Sequence, residues 1–221
     1  MGADHARIAA EDMPGARLKV VCDMDAARPR LVAEACGSAD VARNPAAVIA
    51  RADVDAVILA SPDHAHAPLA LACIAARKPV LSEKPLSPDP AECLSVMQAE
   101  QIAGRRFVQV GFMRRFDQAY VEMKAALDLG RLGRALMMRN IHRNVATPAA
   151  DFTGAMAITN SAPHEFDEER HVLGCDYAAI SAYQPRRSDA LVAPVDIRGR
   201  IPLTRQKKPD RKAPDHDRSP D

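Results

Sequence analysis

At 221 residues, 48% of them apolar, the chain holds enough material for one ample domain, or for one domain and part of a second. Its 30 basic and 29 acidic side chains leave a net charge of +1, which argues against a general nucleic-acid or membrane-surface binder, and aromatics at 4% leave the core to aliphatic residues. Five cysteines show no CxxC pair or zinc spacing, and no apolar run approaches the roughly 20 residues that span a bilayer, so no metal and no membrane contact are expected of a cytoplasmic protein with free thiols.

Residues 1–12 (MGADHARIAAED) are Ala-rich and closed by Pro14-Gly15, which predicts a helix. Residues 18–23 (LKVVCD) form a short apolar strand ending on Asp23, and AARPRLVAEAC continues as helix. Residues 44–51 suit a short helix and 54–60 a buried strand. Ser61-Pro62 then turns the chain into a helix over 63–76, with Leu69, Leu71, Cys73 and Ile74 on its apolar side. Alternating strands and helices predict an α/β fold with a parallel sheet.

The next stretch, Pro79-Val80-Leu81-Ser82-Glu83-Lys84-Pro85, is a brief apolar strand that stops on a charged pair. Lys84 then stands at the carboxyl edge of the sheet, where open α/β sheets bind ligands. On spacing alone, a surface ion pair in a turn explains Glu83 and Lys84 equally well.

Ser87-Pro88 starts a helix to about residue 103, and 107–110 is a strand ended by Gly111. Arg114, Arg115 and Tyr120 open a long helix to about Leu129, on which the arginines suit a solvated face. Residues 134–143 (RALMMRNIHR) alternate like a strand, with Asn140 and His142 pointing to water. A helix over 160–174 starts near Pro163 and ends at Gly174. It places Asn160 and His164, four residues apart, on one face. From Asp196 to Asp221 apolar periodicity gives way to Pro, Lys, Arg and Asp, a composition that buries no core.

Three segments, VILASPDHAHAPLALACIAARKPVLSEKP (57–85), VGFMRRFDQAY (110–120) and NSAPHEFDEER (160–170), together resemble the Gfo/Idh/MocA oxidoreductases, two-domain NAD(P)-dependent sugar and polyol dehydrogenases. The likeness runs over roughly residues 1–195, and the last two segments are most similar to the inositol 2-dehydrogenase branch. It implies an incomplete NAD(P)-binding Rossmann domain over 1–112, without its first strand. The start of an α+β second domain with an open antiparallel sheet would follow over 113–195. The tail over 196–221 then reads as a shifted reading frame or as an authentic disordered basic tail. Gly2 matches the last glycine of the dinucleotide fingerprint, while the strand and two glycines that precede it in the family do not occur. A start inside the family's first unit is therefore expected, which brings dinucleotide binding by this chain into question.

The resemblance also implies roles. NAD is the expected cofactor and NADP is disfavoured, because Asp23 would accept hydrogen bonds from the adenosine ribose and repel a 2′-phosphate; otherwise Asp23 is a helix cap or turn residue. Gly2, Asp23, Ser61, Pro62, His66, Glu83 and Lys84 are the implied cofactor residues, while His64 reads as an exposed helix-start histidine. The implied substrate is a small polyol or sugar, met by Lys84, Arg115, Asn160, His164 and Asp167. Catalysis falls to Lys84, His164 and Asn160. His164 matches the proton-accepting histidine, with Asp167 orienting it or capping the turn. Asn160 stands where the family has an aspartate, and its amide orients a hydroxyl without carrying charge. The expected activity is oxidation of a cyclic polyol such as myo-inositol to its ketone. The alternatives are a dehydrogenase for another sugar and a non-catalytic fragment. Family members form homo-oligomers through the second-domain sheet, and with most of that sheet lacking none is expected here.

Overall fold

The computed structural model describes residues 1–25, 27–37, 39–142, 152–183 and 196–200, and the chain divides into two units, Met1–Phe112 and Met113–Asp221. In the first unit helices and short strands alternate. Helix α1 (Gly2–Glu11) carries Asp4 in its first turn, where an acid suits the helix dipole, and precedes β1 (Val20–Cys22). Helix α2 (Arg28–Ala35) leads to β2 (Asp40–Ala42), which pairs in parallel with β1. Helix α3 (Pro45–Ile49) begins with Pro at its start and the Asn44 side chain accepting the Ala47 N–H.

A second parallel ladder holds β3 (Val57–Leu59), β4 (Val80–Ser82) and β5 (Val108–Val110), with β4 in the middle. The connections are α4 (Asp63–Ala75) and α5 (Pro90–Ala103). Central β4 is covered, as its apolar run requires, and Val80 and Ser82 are buried. Against this ladder α4 packs Ala67, Ala70, Cys73 and Ile74, at helical spacing, together with Val96 of α5, Phe107, Leu59 and Ile49. Burial raises the Cys73 thiol to about 11, so it serves as a small apolar filler. Helix α5 starts two residues later than its Ser-Pro signal suggests, because Asp89 accepts the Ala91 N–H and serves as the cap. Ser87 instead accepts the Asp89 N–H and donates to Glu92. Gly104, at φ 74°, ends the helix in the left-handed conformation that glycine adopts without steric cost. The two ladders are separate: among the described residues no strand pairing joins β1 to β3.

The second unit opens on a 3₁₀ turn (Met113–Phe116), where one long helix is expected. Asp117 accepts the Ala119 N–H and restarts the chain as α6 (Gln118–Asp128). Residues 134–142 form no strand, although they alternate, because alternation becomes a strand only where a partner edge is available. Asn140 is half-buried and meets Glu169 at 3.1 Å, while His142 stays exposed and its ring meets Glu165 at 3.0 Å. A short helix α7 (Gly154–Met156) runs into a π-helical turn (Ala157–Ser161), closed by Ala162 N–H donating to the Ala157 carbonyl, and α8 (Pro163–Leu173) follows to Gly174.

Strand β6 (Ala179–Tyr183) pairs antiparallel with β7 (Asp196–Arg200). The first five residues of the expected tail are thus structured, and their polar sequence is held by the ladder and by packing. A Cβ at Gly199 would lie 2.4 Å from the Tyr177 ring, so only glycine lets that ring cross β7. The rest of the expected tail, residues 201–221, lies outside the described residues, as does the stretch 184–195. Among the described residues no helix is long and apolar enough to cross a membrane.

Candidate active site

In the first unit the carboxyl ends of β3, β4 and β5 gather most of the residues expected to meet a cofactor. The ladder continues past the strands: Glu83 N–H donates to the Leu59 carbonyl at 2.8 Å and Gly111 N–H to the Ser82 carbonyl at 2.7 Å. Helix α1 begins at this edge, where a Cβ on Gly2 would rest 3.5 Å from Ala60. Lys84 is half-buried directly after the middle strand, and Pro62 sits at the N-cap of α4. Ser61 Oγ is buried and has no hydrogen-bond partner among the described residues. An orphaned hydroxyl at the carboxyl edge of a parallel sheet, beside a helix start, fits the polar groups of a dinucleotide.

His66 is bound to the protein's own backbone. Its ring is 1% exposed, and Nδ1 donates to the Pro85 carbonyl at 2.7 Å, since a carbonyl only accepts. The ring lies under the Lys84-Pro85 turn as a support, and its Nε2 is buried with no hydrogen-bond partner among the described residues. Its match to a family position identified where it is in the chain, not what it touches.

Asp23 lies apart from this group, at the end of β1 in the other ladder. Its Oδ1 accepts the Asp25 N–H at 2.9 Å, an Asx turn, and α2 begins without a side-chain cap. Of the two alternatives to ribose binding, the turn is present and the cap is not. Asp23 remains partly exposed.

The second unit builds its site on α8. Asn160 lies in the π-helical turn and His164 at the second residue of α8, both half-buried. Asn160 thus precedes α8, in a π turn rather than on its opening α-helical turns, and such turns occur frequently at functional sites.

Arg115 and Asp167, both assigned to substrate from the sequence, are paired with each other. Arg115 Nε donates to Asp167 Oδ2 at 2.7 Å and Nη2 to Oδ1 at 2.5 Å, a bidentate pair in which Asp167 is 7% exposed. Both Asp167 oxygens accept from Arg115, which ties this carboxylate of α8 to the 3₁₀ turn. Arg114, expected on a solvated face, reaches Glu168 at 2.5 Å and Glu165 at 2.7 Å. Neighbouring arginines on the 3₁₀ turn thus hold three acids of the helix that carries His164. Burial pushes the Glu168 carboxyl up, with the Arg114 hydrogen bond opposing it. Burial and the Glu169 carboxylate push the Tyr177 hydroxyl far above its ordinary range.

On the same helix, burial first, and then the charges of Arg115 and Lys124, hold His171 below its ordinary 6.5. The fold favours the neutral ring, so acidification through 6.5 protonates the unfolded chain first and stability is lost there, to be regained as pH rises again. Melting temperature followed against pH is expected to climb through this range in the parent, and to climb less in His171→Gln.

Sequence reasoning missed His5, whose ring meets Glu83, and the acidic partners of Arg114. The signal for the latter was two adjacent arginines and a run of acids, and a separation of 54 residues between Arg114 and Glu168 leaves no local pattern to join them.

Comparison with known proteins covers both units. The family profile described as an oxidoreductase family with an NAD-binding Rossmann fold matches residues 1–112. Inositol 2-dehydrogenase 2 of Saccharopolyspora erythraea is 47% identical over 188 residues, 85% of this chain and 55% of that protein. Inositol 2-dehydrogenase of Streptomyces avermitilis is 43% identical, covering 85% of this chain and 54% of its own length. The chain spans about half the length of the curated relatives it matches. Among solved structures, myo-inositol dehydrogenase from Lactobacillus casei, in complex with NAD(H) and myo-inositol, superposes with a TM-score of 0.79 at 26% identity, covering 91% of this chain and 61% of that one. The parallel ladders, the lysine at the end of the middle strand and the profile match agree, and the chain belongs to the Gfo/Idh/MocA oxidoreductase family.

Proposed function

We propose that the chain acts as an NAD-dependent oxidoreductase on a cyclic polyol, with myo-inositol the first substrate to test. The observation that carries this reading is Lys84 beyond the carboxyl end of the middle strand of a parallel ladder, with the orphaned Ser61 hydroxyl beyond the same end of the neighbouring strand β3. The likeness to inositol 2-dehydrogenases supports the substrate class.

In this reading the start of α1 and Ser61 hold the dinucleotide, and Asp23 accepts from its ribose hydroxyls and disfavours a 2′-phosphate. When bound, the nicotinamide supplies the hydride acceptor. His164 takes the proton of the substrate hydroxyl, and the Lys84 ammonium stabilises the negative charge that develops on the oxygen left behind. Asn160 donates or accepts a hydrogen bond to set the hydroxyl's direction. Arg115 and Asp167 enter as the pair that fixes α8, and His66 as the support of the Lys84 turn. The free thiols suit a cytoplasmic setting.

Titration with NAD⁺ and NADP⁺ by calorimetry, followed by polyol oxidation assays, tests the reading; a folded chain that binds neither dinucleotide overturns it. Asn160→Asp is expected to raise turnover about tenfold, the value of one pKa unit, because a carboxylate stabilises the imidazolium as the proton arrives. Steady-state kinetics of the parent and the variant on myo-inositol check this, and equal rates would remove Asn160 from the mechanism.

A further inference from the structure

His5 lies on the first turns of α1, and its Nε2 stands 2.7 Å from Glu83 Oε1, 78 residues further along the chain. Both side chains are withdrawn from solvent, at 28% and 15% exposure. Because a carboxylate offers only acceptors, Nε2 carries the proton and donates it, which makes this a charge-assisted bond. Gly111 lies close to the Glu83 carboxyl group. A Cβ there would come within 3.6 Å of the Glu83 carboxyl group and 3.4 Å of the Ser82 carbonyl oxygen. The Glu83 backbone is tied to β3 through the Leu59 carbonyl. Three elements therefore converge on Glu83, and Lys84 is the next residue.

We propose that His5 is a positioning residue for Lys84. By holding the Glu83 carboxylate it fixes the turn that aims the lysine, and because it stands three residues after Gly2 it ties that aim to the start of α1. The catalytic meaning of this device rests on the functional reading above, but the device itself does not, since it is a contact between two residues of the chain.

Hydrogen exchange resolved to the segment 82–86 tests it in the free protein. His5→Ala is expected to speed exchange there about tenfold relative to 57–59, as loss of one charge-assisted hydrogen bond would. His5→Gln places an amide N–H near the position of Nε2 and is expected to recover most of the protection. Glu83→Ala should match His5→Ala, with the double variant no faster than Glu83→Ala alone, because the two groups act through one bond. Unchanged exchange in His5→Ala, an equal rise across the whole unit, or no recovery in His5→Gln would each overturn the proposal. In turnover assays kcat is expected to fall in His5→Ala and return in His5→Gln, with KM for NAD⁺ held. A parent chain without turnover would defeat the functional reading, and the exchange experiment would still decide the role of His5.

Discussion

Lys84→Met is expected to reduce polyol oxidation by about 10²–10⁴-fold while leaving NAD⁺ affinity and the circular dichroism spectrum close to those of the parent. Methionine keeps most of the length and apolar stem of lysine, so the half-buried position stays filled and only the ammonium is removed. The turn has ties besides that ammonium. It is held by the Glu83 N–H on the Leu59 carbonyl, by His66 on the Pro85 carbonyl, and by the fully buried Ser82, whose hydroxyl donates to the Glu83 carbonyl. The loss should therefore fall on kcat, where charge develops in the transition state, rather than on ground-state binding. Turnover within about tenfold of the parent would place the chemistry elsewhere.

Arg114→Met carries the largest expected effect on stability. It removes the cation from Glu168, whose side chain is 1% exposed and whose second oxygen already has no hydrogen-bond partner among the described residues. Breaking a buried pair from one side costs about 3–5 kcal/mol, because a charge is left in a medium that cannot solvate it. Glu165 suffers less, since the His142 ring still reaches it at 3.0 Å. Adding Glu168→Met to Arg114→Met is expected to recover more than half of the loss, since two apolar side chains pack where a lone carboxylate cannot. Urea unfolding followed by circular dichroism measures all three proteins. A single-variant loss below about 1 kcal/mol would put the pair in the class of surface ion pairs and sink the argument.

Much of the first unit was legible because its elements announce themselves locally. The strands around Ile58, Leu81 and Gln109 are short apolar runs cut off by turn residues, and α4 carries its buried face at helical spacing. Strand β2 was not legible: Asp-Val-Ala has no alternation to read, and it is a strand only because β1 lies alongside. In the second unit the failures share one cause. Residues 134–142 look like a strand and lack an edge, while Asp196–Arg200 looks like tail and has one, so the decision lay with a partner that no window of sequence contains. Within the candidate site, the place of Lys84 at the carboxyl edge of the sheet was legible from the strand that precedes it, and its role was not. The engagement of Arg115 with Asp167 was not, because complementary charges 52 residues apart carry no marker of proximity. His66 shows a different limit: matching a family's position conveys importance without saying whether the ring meets a ligand or the protein's own backbone.

The separation of the two parallel ladders bears on how the first unit melts. The buried cluster draws on Ile49 and on residues from 59 to 107, whereas residues ahead of it contribute only small or sparse burial, such as Ala6, Pro29 and Ala33. Opening free energy should therefore be graded along the chain, lowest in the layer of β1, β2 and α2 and highest around β4. A dinucleotide that touched Asp23 on one ladder and Ser61 on the other would rivet the two layers. At a hundredfold excess over Kd it would add about 2.7 kcal/mol of linked stability to any opening that breaks the site. Occupancy would then turn a unit with two separable layers into one cooperative block, and binding would be visible as a change in unfolding cooperativity before any chemistry is measured.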